Sequence, residues 1–343
     1  MEQNSNISAE ADLTPENRKE DHIDLALTPS SQSGWTDTRF DYEPMITACP
    51  TALEPFTFLG KQMRAPFWVS SMTGGTERAG EINRTLATVA GKFGMGMGLG
   101  SCRSLLYTDK HLSDFALRKF IGDDLPLFAN LGIAQVEELV SQKQWPVIEE
   151  LIRKIEGDGL IIHINPVQEW LQKGGDIIRW KPIDTIRQVL DHIGFPVIVK
   201  EVGQGIGPRS LKALMELPLA ALEFGAHGGT NFGAIELLRY SGIEKASLEP
   251  LIHTGHTAVE MSGYIRNILD KNETLCRQFI ISGGVKNFLD GYYCMQKIQA
   301  PAIIGQASNM LKQAVLGQES LEQYVEGQIN GLRFARSYLK LRE

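Results

Sequence analysis

The chain has 343 residues, 43% hydrophobic and 22% charged, with a formal net charge of −7 and a pI near 5.6. That acidic balance argues against nucleic acid as the main partner. No apolar run approaches the ~18–20 residues needed to span a bilayer, so no membrane association is expected. The opening MEQNSNISAEADLTPENRKED is acidic and lacks the apolar core of a signal peptide. Cys49, Cys102, Cys276 and Cys294 form no CxxC pair, which points to reduced thiols and a cytoplasmic protein.

Residues 1–17 are polar and are expected to be a disordered tail. RKEDH (18–22) follows; Arg18 and Lys19 could clamp a diphosphate, the alternative being a solvated charge run. Eight β-like runs come next: PFWVSSMTGG (66–75), MGMGLGS (95–101), LPLFANLG (125–132), GLIIHIN (159–165), PVIVKEVG (196–203), LAALEFGAHGG (219–229), QFIISGG (278–284) and APAIIGQAS (300–308). Helical periodicity separates them, as in EINRTLATVAGKF, SLKALMEL and YIRNIL. Strands apolar on both faces and divided by helices imply parallel βα units, and eight of them suggest an α/β (β/α)8 TIM barrel. A doubly wound open sheet is the alternative. The segment 233–277 is long for one βα connection and is expected to carry an insertion over the site.

Nearly every run ends in Gly, Ser, Thr, Asn, Lys, His or Gln, the composition expected at a barrel mouth, where the βα loops build the active site. In SSMTGGTE, the Ser71 and Thr73 hydroxyls and exposed amides suit a flavin ring or a phosphate; equally, this is a glycine turn with Thr76 capping a helix. Lys200 ends PVIVK, where burial demands an anion, either a ligand such as a reduced flavin or an acidic side chain. SGG (282–284) and GQAS (305–308) mark the loops after the seventh and eighth strands, the usual phosphate site of this barrel class. In HINPVQE, Glu169 is a hard-oxygen ligand suited to Mg²⁺, His163 and Asn165 share a strand face, and Gln168 can orient a substrate without titrating. The plainer reading is a helix beginning at Pro166, with Gln168 and Glu169 in its first turn. Arg103 in GSCRS could join the same anion as Arg18 and Lys19.

The chain lacks a P-loop, a dinucleotide GxGxxG after a strand, and the HxxR pair expected of flavin 2-hydroxy-acid oxidases. Instead it resembles the type 2 isopentenyl diphosphate isomerases, FMN-dependent barrels, through RKxxH (Arg18, Lys19, His22), MTGG (72–75), GxGSxR (98–103), ANLGxxQ (129–135), HxNxxQE (163–169), VKEVGxGI (199–206), GGT (228–230) and SGG (282–284). The resemblance implies a capping segment over 18–55, which places His22 with Arg18 and Lys19 at the substrate, and an FMN-binding barrel over 56–343. It assigns FMN to Ser71, Met72, Thr73, Asn130, Lys200 and Thr230, with Gly283, Gly284, Gly305 and Gln306 near its phosphate. Ser101, Arg103, His163, Asn165 and Gln168 would hold the substrate diphosphate and its allylic arm, and Glu169 would bind Mg²⁺. The implied reaction interconverts isopentenyl and dimethylallyl diphosphates on reduced FMN, with NADPH as reductant, in a homo-oligomer, a tetramer or octamer. A flavin oxidoreductase on the same barrel, or a flavin-binding relative without catalysis, are the rival readings. Several stretches depart from the pattern: Cys102 stands where glutamine is usual, HTGHTAVE replaces a WGIPT run, VKNFL an arginine-bearing one, and GQASNML a GxARPxL one. His227 and His256 are candidate compensating donors.

Overall fold

The structure is a computed structural model that describes residues 15–28, 34–71 and 73–342. Two compact units partition the chain, one of residues 1–41 with 342–343, the other Tyr42–Leu341. In the first, helix α1 (Pro15–Ala26) contains three residues of the expected tail and carries Arg18, Lys19 and His22, all exposed. Arg39 pairs with Asp37 at 2.7 Å, and Arg342 reaches the Arg39 carbonyl through its N–H and Asp41 through Nε.

The second unit is a closed parallel barrel of eight strands: β1 (Phe67–Val69), β2 (Gly96–Gly98), β3 (Leu127–Gly132), β4 (Gly159–Ile164), β5 (Val197–Glu201), β6 (Ala221–Glu223), β7 (Phe279–Ile281) and β8 (Ala302–Gln306). All eight expected runs contain their strand, and the open-sheet alternative falls because β8 pairs with β1. The strands are shorter than the runs. PFWVSSMTGG leaves the barrel after Val69, and LAALEFGAHGG after Glu223, where Ser70 and Ser71 in the one and Gly225 and Ala226 in the other line the mouth instead of extending the strand.

The interior is filled by fully buried side chains, among them Trp68 and Phe128 edge-to-face at 6.1 Å. At the N-terminal end of the strands, an antiparallel hairpin (Phe56–Phe58 with Lys61–Met63) buries Phe58 and Met63. It is tied there by Lys61 to Asp158 at 2.7 Å and by the Leu59 N–H to Gln278. That closes the floor and leaves the C-terminal face as the mouth.

Outer helices follow each strand with ordinary capping chemistry. Helix α2 (Glu77–Phe93) is capped by Thr76 and stopped at Gly94 in the left-handed region. Helix α3 (Pro166–Leu171) opens on a proline, as the plainer reading of HINPVQE requires. The long 233–277 connection contains α4 (Phe232–Leu237), α5 (Gly242–Leu248) and a 3₁₀ turn before α6 (Ala258–Lys271), so extra elements do interrupt it. Helix α7 (Ser308–Leu316) follows β8. No described helix is long and apolar enough to cross a membrane.

Candidate active site at the barrel mouth

Strand register assembles the site. Gly132, His163, Lys200 and Glu223 are successive cross-strand partners from β3 to β6, so the polar residues ending these apolar strands lie side by side at the mouth. They open onto two adjoining chambers. A cleft of about 700 Å³ is lined by Ser70, Ser71, Lys200, Glu223, Thr230, Gly283, Gly284, Lys286, Gly305, Gln306, Ser308 and Asn309, among others. The other, about 430 Å³, is lined by Ser71, Gly100, Ser101, Asn130, His163, Gln168, Lys200, Val202 and Phe232. Ser71, Lys200, Val202 and Phe232 border both.

Lys200 is 6% exposed, and its ammonium donates to the Glu201 carbonyl at 2.8 Å. Among the described residues no carboxylate lies within ion-pair distance of it, so the acidic-partner reading of Lys200 does not hold. The neighbouring Glu201 carboxylate is committed elsewhere: its Oε2 accepts the amides of Val202, Gly203, Gln204 and Gly205 at 2.6–3.1 Å. Burial pushes the Glu201 carboxyl up, while those amides and Lys200 pull it back. Glu201 thereby pins the loop after β5 and leaves Lys200 as a cation facing the cleft.

The far end of the cleft is backbone. Gly283 and Gly284 both sit at positive φ (81° and 69°), and a Cβ on Gly283 would overlap the Ala226 carbonyl. Amides free of side chains line this end beside Thr230, Lys286 and the start of α7. Several buried polar atoms along the cleft have no partner: Ser70 Oγ, Ser71 Oγ, Gln306 Nε2 and both Glu223 oxygens. Gln306 Oε1 is already taken by Tyr324 at 3.0 Å.

In the smaller chamber, His163 Nδ1 lies 2.8 Å from Asn130 Oδ1. Asn130 spends its amide on the Leu99 carbonyl at 2.9 Å, so its oxygen must accept and His163 Nδ1 must carry the proton. Burial, and then the Lys200 charge, push His163 down to about 3. His163 is therefore a neutral ring whose Nε2 presents a lone pair.

A third cluster links the remaining motif residues. Asn165 Nδ2 donates to Glu169 Oε1 at 2.8 Å and to Gln168 Oε1 at 3.2 Å. Glu169 Oε2 accepts the Asp176 amide at 2.7 Å. Asp176 Oδ2 in turn receives Arg103 and Gln135, each at 2.7 Å. Asp176, Gln135 and Glu223 carry no assignment from the sequence. Gln135 lies inside the ANLGxxQ motif, and Asp176 follows a glycine pair seven residues beyond Glu169, so spacing alone flags neither. Glu223 reads as an ordinary strand residue until its burial is known.

The structure thus brings together Ser71, Ser101, Asn130, His163, Gln168 and Lys200, and joins Lys200 to Thr230, Gly283, Gly284, Gly305 and Gln306. Thr73 is held by its carbonyl, which accepts from Asn83 at 3.2 Å. Met72 lies outside the described residues. Arg18, Lys19 and His22 belong to the other unit. His227 Nε2 sits 3.3 Å from the Ile252 carbonyl and His256 Nδ1 3.5 Å from Tyr264 Oη, while Lys286 from VKNFL lines the cleft. Cys102 is buried, with its thiol against the Gly100 carbonyl and pushed up to about 12 by burial, so it supplies no thiolate. Among the described residues there is no group of three or more His, Cys, Asp or Glu able to hold a metal by itself.

No family model matches the chain. Among curated proteins, it is 34% identical over 315 residues to the isopentenyl-diphosphate delta-isomerase of Rickettsia africae (strain ESF-5), covering 90% of this chain and 89% of the relative. It is 31% identical over 332 residues to the protein of the same name from Rickettsia felis (strain ATCC VR-1525 / URRWXCal2), covering 95% and 91%. Among solved structures, a mandelate oxidase with a monooxide FMN adduct aligns with TM-score 0.57 at 12% identity, over 89% of this chain and 88% of that one. A flavocytochrome b2 with sulfite bound aligns with TM-score 0.60 at 12% identity, over 87% and 72%. At such identities these two likenesses concern the fold.

Proposed function

The chain belongs to the isopentenyl-diphosphate delta-isomerase family, and from that premise we propose that it interconverts isopentenyl and dimethylallyl diphosphates at a barrel mouth holding reduced FMN. The observation that carries the cofactor is Lys200: a buried cation without a carboxylate partner, at one end of a cleft whose other end is bare glycine backbone. A buried ammonium is costly unless an anion meets it. The residues present fit FMN. Lys200 would face the electron-rich edge of the reduced ring, while the amides near Gly283 and Gly284, together with Lys286, Ser308 and Asn309, would take the phosphate. The unpartnered Ser70, Ser71 and Gln306 atoms lie between, as a polar ligand requires.

Reduced FMN, with NADPH as the source of its electrons, would supply the proton donor and acceptor that move the double bond. The chain's residues position the substrate. Ser101 lines the smaller chamber and would meet the diphosphate, as would Arg103, whose guanidinium is held by Asp176; the family resemblance gives Arg18, Lys19 and His22 the same role. Glu169, already oriented by Asn165 and the Asp176 amide, would bind Mg²⁺ together with substrate phosphate oxygens, because a single carboxylate suffices only when phosphates complete the shell. His163, neutral and locked as the Nδ1–H tautomer, adds no charge against Lys200 and holds Asn130 in place. No strong acid is needed among these side chains; positioning in a site screened from water does the work.

The test is anaerobic turnover with FMN, NADPH, Mg²⁺ and isopentenyl diphosphate, following allylic product and NADPH together. Many turnovers per NADPH support the isomerase. Stoichiometric NADPH loss indicates an oxidoreductase instead, and bound FMN without product indicates a relative without this activity.

A further inference from the structure

Glu223 is the buried titratable group that this reading leaves unused. It ends β6, is 0% exposed, lines the larger cleft, and has no hydrogen-bond partner for either carboxylate oxygen. Its cross-strand partners are Lys200 on β5 and Ile280 on β7. Lys200 gives it no ion pair, since that ammonium is bound to the Glu201 carbonyl. A carboxyl group enclosed without a single donor is among the costliest polar arrangements a fold can keep. By contrast, the buried Glu201 receives four amides, and the buried Glu137 the amides of Arg179 and Trp180. Glu223 differs from them in lining the cleft with neither oxygen bonded.

Its place in the barrel says which donors would arrive. Around the mouth, β5, β6 and β7 are neighbours in that order. Lys200 stands on the first, Glu223 on the second, and Ser282, Gly283 and Gly284 follow the third. An FMN with its ring edge at Lys200 and its phosphate at the glycines must pass its polyol linker across Glu223, and the linker's hydroxyls are O–H donors. Resting on the FMN reading above, we propose that Glu223 is the binding residue for the ribityl hydroxyls of the cofactor, accepting hydrogen bonds that nothing in the protein itself provides.

The experiment titrates apoprotein with FMN by the quenching of flavin fluorescence, for wild type and Glu223→Gln, alongside the thermal midpoint of each apoprotein. A lost charge-assisted bond of this kind corresponds to an affinity about tenfold to a hundredfold weaker. The variant's apoprotein should melt no lower than wild type, because the donors are absent from it. An FMN analogue whose linker is an unsubstituted pentyl phosphate completes the cycle: it should bind wild type more weakly than FMN does, and Glu223→Gln should weaken it little further. Unchanged FMN affinity in the variant overturns the proposal, as does an equal loss with the analogue, which moves the contact to the ring. A lower apo midpoint with intact FMN affinity makes Glu223 a structural residue and overturns it too. If Glu223→Gln does not fold, Glu223→Asp takes its place, and wild type binding the analogue as tightly as FMN is refuting by itself. Wild type that takes up no FMN refutes the cofactor reading rather than the role of Glu223.

Discussion

Acidification from pH 7.5 to 5 should cost this fold stability through His163. The ring is pushed to about 3 in the folded protein, against a value near 6.5 for an unperturbed histidine. Below about pH 6.5 the unfolded chain takes up a proton that the folded chain refuses. The contribution is therefore fully present above that pH, falls as pH drops, and stops falling near pH 3. At pH 5 the proton uptake of the unfolded state is worth about 2 kcal/mol by linkage, RT ln(1 + 10^1.5), with a negligible folded-state term. Because His163 is partly exposed at the cleft, that figure is a ceiling. The assay is urea unfolding of apoprotein at both pH values for wild type and His163→Gln, whose side-chain amide can still donate to Asn130. Carboxylates elsewhere titrate alike in both proteins and cancel in the difference. Wild type should lose up to about 2 kcal/mol more than the variant. Equal losses would show that His163 takes a proton freely when folded, and the argument for a neutral Nδ1–H ring would fail.

Lys200→Met should weaken FMN binding by about tenfold or more while leaving the apoprotein as stable or more so, because it removes a buried charge without a carboxylate partner; fluorescence titration and urea unfolding check the two halves, and an unaltered FMN affinity would return Lys200 to a purely structural part. Glu169→Gln should raise the Mg²⁺ concentration needed for half-maximal activity with FMN still bound; wild-type Mg²⁺ dependence would remove Glu169 from the metal. Asp176→Ala should raise the KM for isopentenyl diphosphate by about tenfold, since Arg103 and Gln135 both lose an orienting bond while the backbone amide that Glu169 accepts is kept. An unchanged KM in steady-state kinetics would mean that those bonds do not matter once substrate is present. Gly283→Ala should destabilise the fold by about 1–3 kcal/mol and abolish FMN uptake, because the left-handed backbone and the nearby Ala226 carbonyl leave no space for a methyl group; thermal melts with and without FMN decide it.

Most of the architecture was legible because the signals for it are local. Each barrel strand is an apolar run enclosed on both faces, and helical periodicity fills each gap, so eight βα units could be counted directly. The strand ends were legible for the same reason: a lysine or histidine closing a buried run needs an explanation, and Lys200 and His163 proved to be adjacent in register. What stayed hidden depends on three dimensions. Asp176 matters because its side chain and amide meet three separate motifs, and none of those contacts leaves a trace in spacing. Glu223 looks like any strand glutamate in ALE, and only its enclosure makes it unusual. The acidic-partner alternative for Lys200 failed because the adjacent glutamate was captured by four amides of its own loop, a competition that composition cannot reveal.

The electrostatics of the mouth argue for a cleft tuned to an anion rather than for one that performs acid–base chemistry with its own side chains. His163 is held neutral, Cys102 is held as a thiol, and Glu201 is occupied by backbone amides. Glu169 and Asp176 are bound into a network that also contains Arg103. That leaves Lys200 and Glu223, adjacent on neighbouring strands and not paired with each other, as the buried charge-bearing groups of the larger cleft whose needs the protein does not meet. Had the two formed an ion pair, the fold would be more self-sufficient and the cleft less able to hold a ligand. Kept apart, one offers a cation and the other an acceptor. A ligand that satisfies both must carry an anionic edge and, a short way along, a series of hydroxyl donors before its phosphate. FMN has these three features in that sequence, and a substrate diphosphate with a hydrocarbon arm does not, which is why we propose the larger cleft for the cofactor and the His163 chamber for the substrate.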